Sequence, residues 1–177
     1  MDKILIIGFM FLPTLQSLVY YIDEESGSNK FLGNIATDTN LEKLVNNSDD
    51  FKTIQYSFLT QGHPHSSKFK INETTSEIRT KENLDRETIC EYSPSCVLSL
   101  QVSAKSTYGI FFETFDISVH LNDINDNTPY FPSSSVNLSV SEASLVGTKF
   151  TISSAIDKDS TKLFCDRLPD LTSRVSI

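Results

Sequence analysis

The chain has 177 residues, with 15 Lys and Arg against 23 Asp and Glu, for a net charge of −8. Residues 18–128 hold 17 acids and 9 bases, and so the whole of the excess; such a segment speaks against nucleic-acid binding, which needs basic patches. It leaves a solvated acidic face or carboxylates gathered around cations, while 38% hydrophobic and 10% aromatic residues are enough for a packed core and exclude wholesale disorder.

In chain order, Met1, Asp2 and Lys3 precede an apolar run, Ile4–Leu15, broken by Pro13. At about twelve residues it is too short to span a bilayer and right for the core of a signal peptide. Residues 1–17 are therefore expected to be a signal peptide cut near Gln16 or Ser17, with a buried N-terminal strand as the alternative. No later stretch is long and apolar enough to anchor the chain in a membrane.

Beyond residue 18 apolar residues recur with a period of two. Ile54, Tyr56 and Phe58 alternate with polar neighbours, as do Phe69 and Ile71, then Leu98, Leu100 and Val102, and then Phe115, Ile117, Val119 and Leu121. Val136, Leu138 and Val140 form a last, shorter copy. Alternation of this kind places one face in a core and the other in water, and several such strands predict an all-β, Greek-key immunoglobulin-like β-sandwich. One weak helical segment is expected at Thr39–Asn46, carrying Leu41, Leu44 and Val45. Residues 18–128 have the length of one sandwich and residues 129–177 about half of one.

Cys90 and Cys96 enclose five residues. In an exported chain a local disulfide is the leading expectation and two buried thiols the alternative; zinc would need a second Cys/His pair at ligand spacing. Closing so small a loop stabilises by only ~2–3 kcal/mol, so its role would be to shape a loop. Cys165 is left over as an unpaired or intermolecular thiol. Asn46, Asn72 and Asn137 begin N-glycosylation sequons. His63-Pro-His65 has no carboxylate or Cys at metal-binding spacing and reads as a polar loop. Catalysis has little support, since the chain lacks a Gly-rich phosphate loop and a nucleophile elbow.

The stretch Asp123-Ile-Asn-Asp-Asn-Thr-Pro-Tyr-Phe131 concentrates hard oxygen donors in a backbone stiffened by Pro129 and Pro132. Ca²⁺, which takes six to eight oxygens in flexible geometry, suits it better than Mg²⁺. An EF-hand is excluded, because Thr128 and Ser134 stand where its loop needs Gly and Glu.

These residues resemble the linker pattern DxNDNxPxF of cadherins. Phe69–Thr80 followed by Leu84-Asp-Arg-Glu87 resembles the FxI, TGxIxT and LDRE stretches of a cadherin repeat, with Ser76 where Gly is usual. Ile22-Asp-Glu-Glu25 followed by Phe31-Leu-Gly-Asn-Ile35 resembles the start of a first repeat, and Ala155-Ile-Asp-Lys-Asp159 the AxDxD of a second. The Cys-x5-Cys loop after LDRE looks like the first repeat of protocadherins, and the absence of Trp is at odds with exchange of an N-terminal Trp. The resemblance covers residues 18–160. It implies a first repeat at 18–128, a partial second repeat at 129–160, and a divergent tail at 161–177 expected to be disordered.

The resemblance also implies a calcium site. Glu24, Asp85, Glu87, Asn125, Asp126, Asp157 and Asp159 match side-chain ligands, and Ile124 and Asn127 match positions that give backbone carbonyls. Asp123 belongs to the motif without being a direct ligand. Glu142 matches the base glutamate of a second repeat. The family's Gly and Asn after the second DxD motif have no counterpart in Asp159-Ser-Thr-Lys, so the second-repeat side is less well furnished. The function implied is calcium-dependent homophilic cell–cell adhesion, the parent binding the same or a related cadherin on an opposing cell. The alternative is a secreted calcium-binding module or truncated fragment that binds a heterologous partner or lacks adhesive activity. Localisation is expected to be extracellular, at the plasma membrane for a full-length parent and secreted for this chain alone; the change of pattern after Ser160 would fit a truncated isoform, a retained intron or an incomplete gene model.

Overall fold

Alternating side chains become strands where a second sheet covers their apolar face, and the sequence supplies two such layers. A computed structural model describes residues 17–159 apart from 46–47, 92, 109–110, 136, 138, 142, 146, 151–152 and 154. The elements are β1 (Ser17–Asp23), β2 (Phe31–Asn34), α1 (Ile35–Asp38), α2 (Leu41–Leu44), α3 (Ser48–Phe51), β3 (Ile54–Phe58), a 3₁₀ turn (Pro64–Lys68), β4 (Phe69–Ile71), β5 (Glu77–Thr80), α4 (Arg86–Cys90), β6 (Val97–Ser106) and β7 (Phe112–Asn122). One sheet has the order β1-β7-β6-β3 and the other β2-β5-β4.

The register explains the core. Strands β6 and β7 pair antiparallel with Leu98 opposite Val119, Leu100 opposite Ile117 and Val102 opposite Phe115, so all six side chains point to one face and are buried. Ile54 and Tyr56 extend that face on β3; Phe69 and Ile78 face it from the second sheet, and Ile35 and Leu41 from the short helices join the same core. Strand β1 lies parallel to β7, with Ile22 beside Leu121. The first and last strands of the sandwich therefore leave from the same end, where Glu24 N–H donates to the carbonyl of Asn122 at 3.1 Å.

Two positions show how the sheets are held at their close approach. A Cβ on Gly33 would lie 2.3 Å from the Tyr20 ring, so only glycine fits there. The Tyr20 hydroxyl donates to Asp38 at 2.7 Å, and burial together with that carboxylate pushes the phenol above its ordinary range. Ser76 ends the tight turn between β4 and β5 with φ of 59°, a conformation that favours glycine. Its hydroxyl accepts from Ala36 N–H at 3.0 Å and donates to Asn34 Oδ1 at 2.8 Å. Those bonds offset the backbone strain and give the serine a reason to stand where a glycine would be easier.

The expected helix at Thr39–Asn46 is shorter than its span and has a neighbour on each side. Asn40 takes a left-handed conformation that separates α1 from α2, while Asn46 lies outside the described residues. The strand expected from Val136, Leu138 and Val140 is not formed at the described residues: Val140 is 37% exposed and in no strand, and Val136 and Leu138 lie outside them. Alternation alone does not make a strand when no facing sheet covers it. Among the described residues after Asn127, the backbone pairing is a single antiparallel bridge between Tyr130 and Ile156. The expected signal peptide up to residue 16, Glu142, Cys165 and the tail 161–177 also lie outside the described residues. Among the described residues no helix is long and apolar enough to cross a membrane.

Candidate metal centre

Three stretches far apart in sequence meet at the end of the sandwich where β1 and β7 finish. Glu24 follows β1, the acidic linker follows β7, and α4 is delivered by the segment after β5, where Glu25 N–H donates to the carbonyl of Leu84 at 2.9 Å. Asp85 is the N-cap of α4: its Oδ1 accepts from Thr88 N–H at 2.9 Å and its Oδ2 from the Thr88 hydroxyl at 2.6 Å. The cap fixes the direction in which the helix carries Arg86 and Glu87.

Two groups of carboxylates result. Glu24, Asp85 and Glu87 place one oxygen each within 4.8 Å of one another, and so do Glu87, Asp126 and Asp159. Glu87 belongs to both. The first group lies wholly within the sandwich, and the second draws Asp126 from the linker and Asp159 from the segment beyond it. Glu24 is 2% exposed; its Oε2 accepts from Arg86 N–H at 2.7 Å and its Oε1 from Ile124 N–H at 2.9 Å. Asp159, also buried, accepts from the side-chain amide of Asn127 at 2.8 Å, with Asn127 N–H 3.3 Å from both of its oxygens. Asp157 is turned to a local task, its Oδ1 accepting from Asp159 N–H at 3.1 Å, and is in neither group.

The electrostatics are those of a site with excess negative charge. Burial pushes the Glu24 carboxyl up to about 7, with the charges of Glu87 and Asp126 acting in the same direction and the N–H groups of Ile124 and Arg86 opposing it. Burial also raises Asp159, against the opposing Asn127 hydrogen bonds and with the help of Asp157 and Asp123. Asp85 is held below the usual carboxylate range, chiefly by the Thr88 hydroxyl, then by Thr88 N–H, with a smaller pull from Lys158. Glu87 Oε1 is buried without a hydrogen bond. An all-oxygen donor set and a buried carboxyl raised by its surroundings fit a hard divalent cation of the calcium type.

The other expected residues are placed less closely. Ile124 gives its N–H to Glu24, and its carbonyl accepts from Asp126 N–H at 3.0 Å. Asn125 is exposed in the linker. Cys90 and Cys96 form a disulfide directly after α4. Asn72 and Asn137 are exposed, whereas Asn46 lies outside the described residues.

Arg86 is the residue that sequence reasoning left without a role. It is 2% exposed, with Nη1 3.5 Å from Glu87 and 3.7 Å from Asp123. A lone arginine inside an acidic motif was the available signal, but its burial depends on the fold.

Comparison with known proteins identifies relatives of the fold. A cadherin-like family model matches residues 17–106. Human protocadherin-10 is 34% identical over 142 residues, which cover 80% of this chain and 13% of that protein. Human protocadherin-17 is 32% identical over 152 residues, covering 83% of this chain and 12% of that protein. The chain thus spans a small fraction of the length of the curated relatives it matches. The solved structure of PcdhgB3 EC1-4 superposes with a TM-score of 0.65 at 28% identity, covering 81% of this chain and 32% of that one.

Proposed function

The chain belongs to the cadherin family, with protocadherins as its relatives, and from that premise we propose that its carboxylates bind Ca²⁺ to lock the first repeat to the segment that follows. The observation that carries the reading is the sharing of Glu87 between a group internal to the sandwich and one that spans the linker. Glu24, Asp85 and Glu87 would hold one ion, and Glu87, Asp126 and Asp159 another. The side chains of Asn125 and Asp157 and the carbonyls of Ile124 and Asn127 would complete the coordination. Carboxylates from four segments repel one another until a cation bridges them, so binding stiffens the junction.

The domain reading that goes with this is a signal peptide at 1–17, a first repeat at 18–128 and the start of a second at 129–160. The biological role is calcium-dependent homophilic adhesion outside the cell, exercised by a longer molecule with several repeats. The exposed Asn72 and Asn137 are open to N-glycosylation in that compartment.

A thermal-melt series with Ca²⁺ tests the site. A ligand bound only by the folded state stabilises it by about 2.7 kcal/mol at a hundredfold excess over Kd. A rise in Tm with millimolar Ca²⁺ that chelator reverses supports the reading, and an unchanged melt overturns it. Bead aggregation by a longer form carrying this segment, dependent on Ca²⁺, tests adhesion.

A further inference from the structure

We infer that the Cys90–Cys96 loop is a positioning element of the cation site and acts on it through Arg86. This rests on the calcium reading above and concerns residues that are not ligands. Arg86 opens α4 and reaches three parts of the fold. Its backbone N–H donates to Glu24 Oε2 at 2.7 Å. Its Nη2 donates at 2.6 Å to the carbonyl of Ser93, inside the disulfide loop. Its Nη1 stands 3.5 Å from Glu87 Oε1 and 3.7 Å from Asp123 Oδ1.

These contacts differ in kind. The bond to Ser93 is a short, charge-assisted hydrogen bond, whereas Nη1 is buried without any hydrogen bond and acts on the carboxylates by charge alone. A guanidinium is a rigid planar fork, so anchoring Nη2 fixes where Nη1 points. The loop in turn fixes the anchor. Ser93 N–H donates to the carbonyl of Cys90 at 3.1 Å, its hydroxyl donates to the carbonyl of Ser95 at 2.8 Å, and the disulfide closes the segment around it.

Glu87 is the carboxylate that both groups share, so its orientation matters twice. Arg86 attracts Oε1 across 3.5 Å, which restricts the rotation of the carboxylate while its negative charge is only partly matched. The cationic side chain has no acceptor atom and cannot itself ligate a metal. Opening the disulfide frees the Ser93 carbonyl, releases the fork, and lets Glu87 leave the geometry that both groups need. Outer-shell partners of this kind change metal affinity by roughly 10- to 100-fold.

The test uses the full chain and Ca²⁺ titration calorimetry, with circular dichroism to show that each variant is folded. Variants are Cys90→Ser/Cys96→Ser, Arg86→Lys and the combination. Lysine keeps the charge but cannot span Ser93 and Glu87 with a fixed fork. Each change is expected to weaken Ca²⁺ binding by about tenfold, and the combination by no more than the larger single effect, because loop and arginine act in series. Wild-type affinity in the folded Arg86→Lys variant, or losses that multiply in the combination, overturns the inference. Arg86→Lys alone decides the matter if the double serine variant does not fold. Absence of Ca²⁺ binding by the wild-type chain overturns the calcium reading, and this inference with it; binding that the variants leave unchanged overturns this inference alone.

Discussion

Glu24 Oε1 accepts the backbone N–H of Ile124 at 2.9 Å, joining residues separated by 100 positions. The same carboxylate takes the N–H of Arg86 on its other oxygen. One buried side chain therefore ties the end of β1, the start of α4 and the linker together. Both N–H groups prefer the ionised carboxylate, while burial and the nearby Glu87 and Asp126 charges disfavour it. Glu24 thus sits in a conflict between its hydrogen-bond donors and its burial.

That conflict has a pH signature. The Glu24 carboxyl titrates at about 7 in the folded chain against 4.5 as its ordinary value, so the folded state holds a proton that the unfolded state has lost between those limits. Its contribution to stability is fully present below pH 4.5 and is lost as pH rises through 7, amounting to at most about 3 kcal/mol. Urea unfolding in chelator at pH 5 to 8 should show this decline in the wild-type chain and a flatter profile in Glu24→Gln.

Calcium binding should release protons near neutral pH, because the ion needs Glu24 ionised. Calorimetric titrations at pH 6.5 in two buffers of different ionisation enthalpy are expected to differ in apparent enthalpy. At pH 8 the difference should shrink, since Glu24 is then ionised beforehand. Glu24→Gln should remove the difference and weaken binding.

Because Glu87 belongs to both carboxylate groups, variants distinguish the two proposed ions. Glu87→Gln should abolish the Ca²⁺-dependent rise in Tm, since both groups lose a ligand. Asp159→Asn should remove only the ion that spans the linker and leave a smaller rise from Glu24, Asp85 and Glu87. Stoichiometry from calorimetry is the measurement that distinguishes the two variants.

The turn at Ser76 predicts an order among substitutions. Ser76→Ala loses both hydroxyl hydrogen bonds and keeps the left-handed backbone, for a cost of about 1–3 kcal/mol in urea unfolding. Ser76→Gly loses the same bonds but relieves a strain of about 1 kcal/mol. Ser76→Gly is therefore expected to be the milder change.

Gly33→Ala drives a methyl group into the Tyr20 ring and should destabilise the sandwich by about 1–3 kcal/mol. Tyr20→Leu in the same chain removes the obstructing ring and should recover part of the loss, read as a shift of the urea midpoint.

Much of the fold was legible because β6 and β7 are long enough for alternation to set both face and register. Leu98, Leu100 and Val102 could be assigned to one face without knowing their partners, Val119, Ile117 and Phe115. The same reasoning failed at Val136–Val140, where the pattern exists but no covering layer meets the described residues. The expected helix at Thr39–Asn46 meets only α2, and α1 and α3 on either side of it were not foreseen, because single-turn helices leave too short a period to read. At the site, the carboxylates were legible as motifs, whereas the sharing of Glu87 was not. Sharing depends on how four separate segments converge. The burial of Arg86 and its reach to Ser93 lay beyond the sequence for the same reason.

The parallel pairing of β1 with β7 has a mechanical meaning. Seven residue pairs, from Ser17 beside Asp116 to Asp23 beside Asn122, run side by side in one direction. Tension applied to the N-terminal end of β1 and to the linker after Asn122 acts at opposite ends of this ladder. The hydrogen bonds between the two strands are then loaded in shear, all sharing the force at once, instead of being peeled apart one after another. A strand arrangement that gathers three acidic segments at one end also lets the sandwich transmit a pull along its axis.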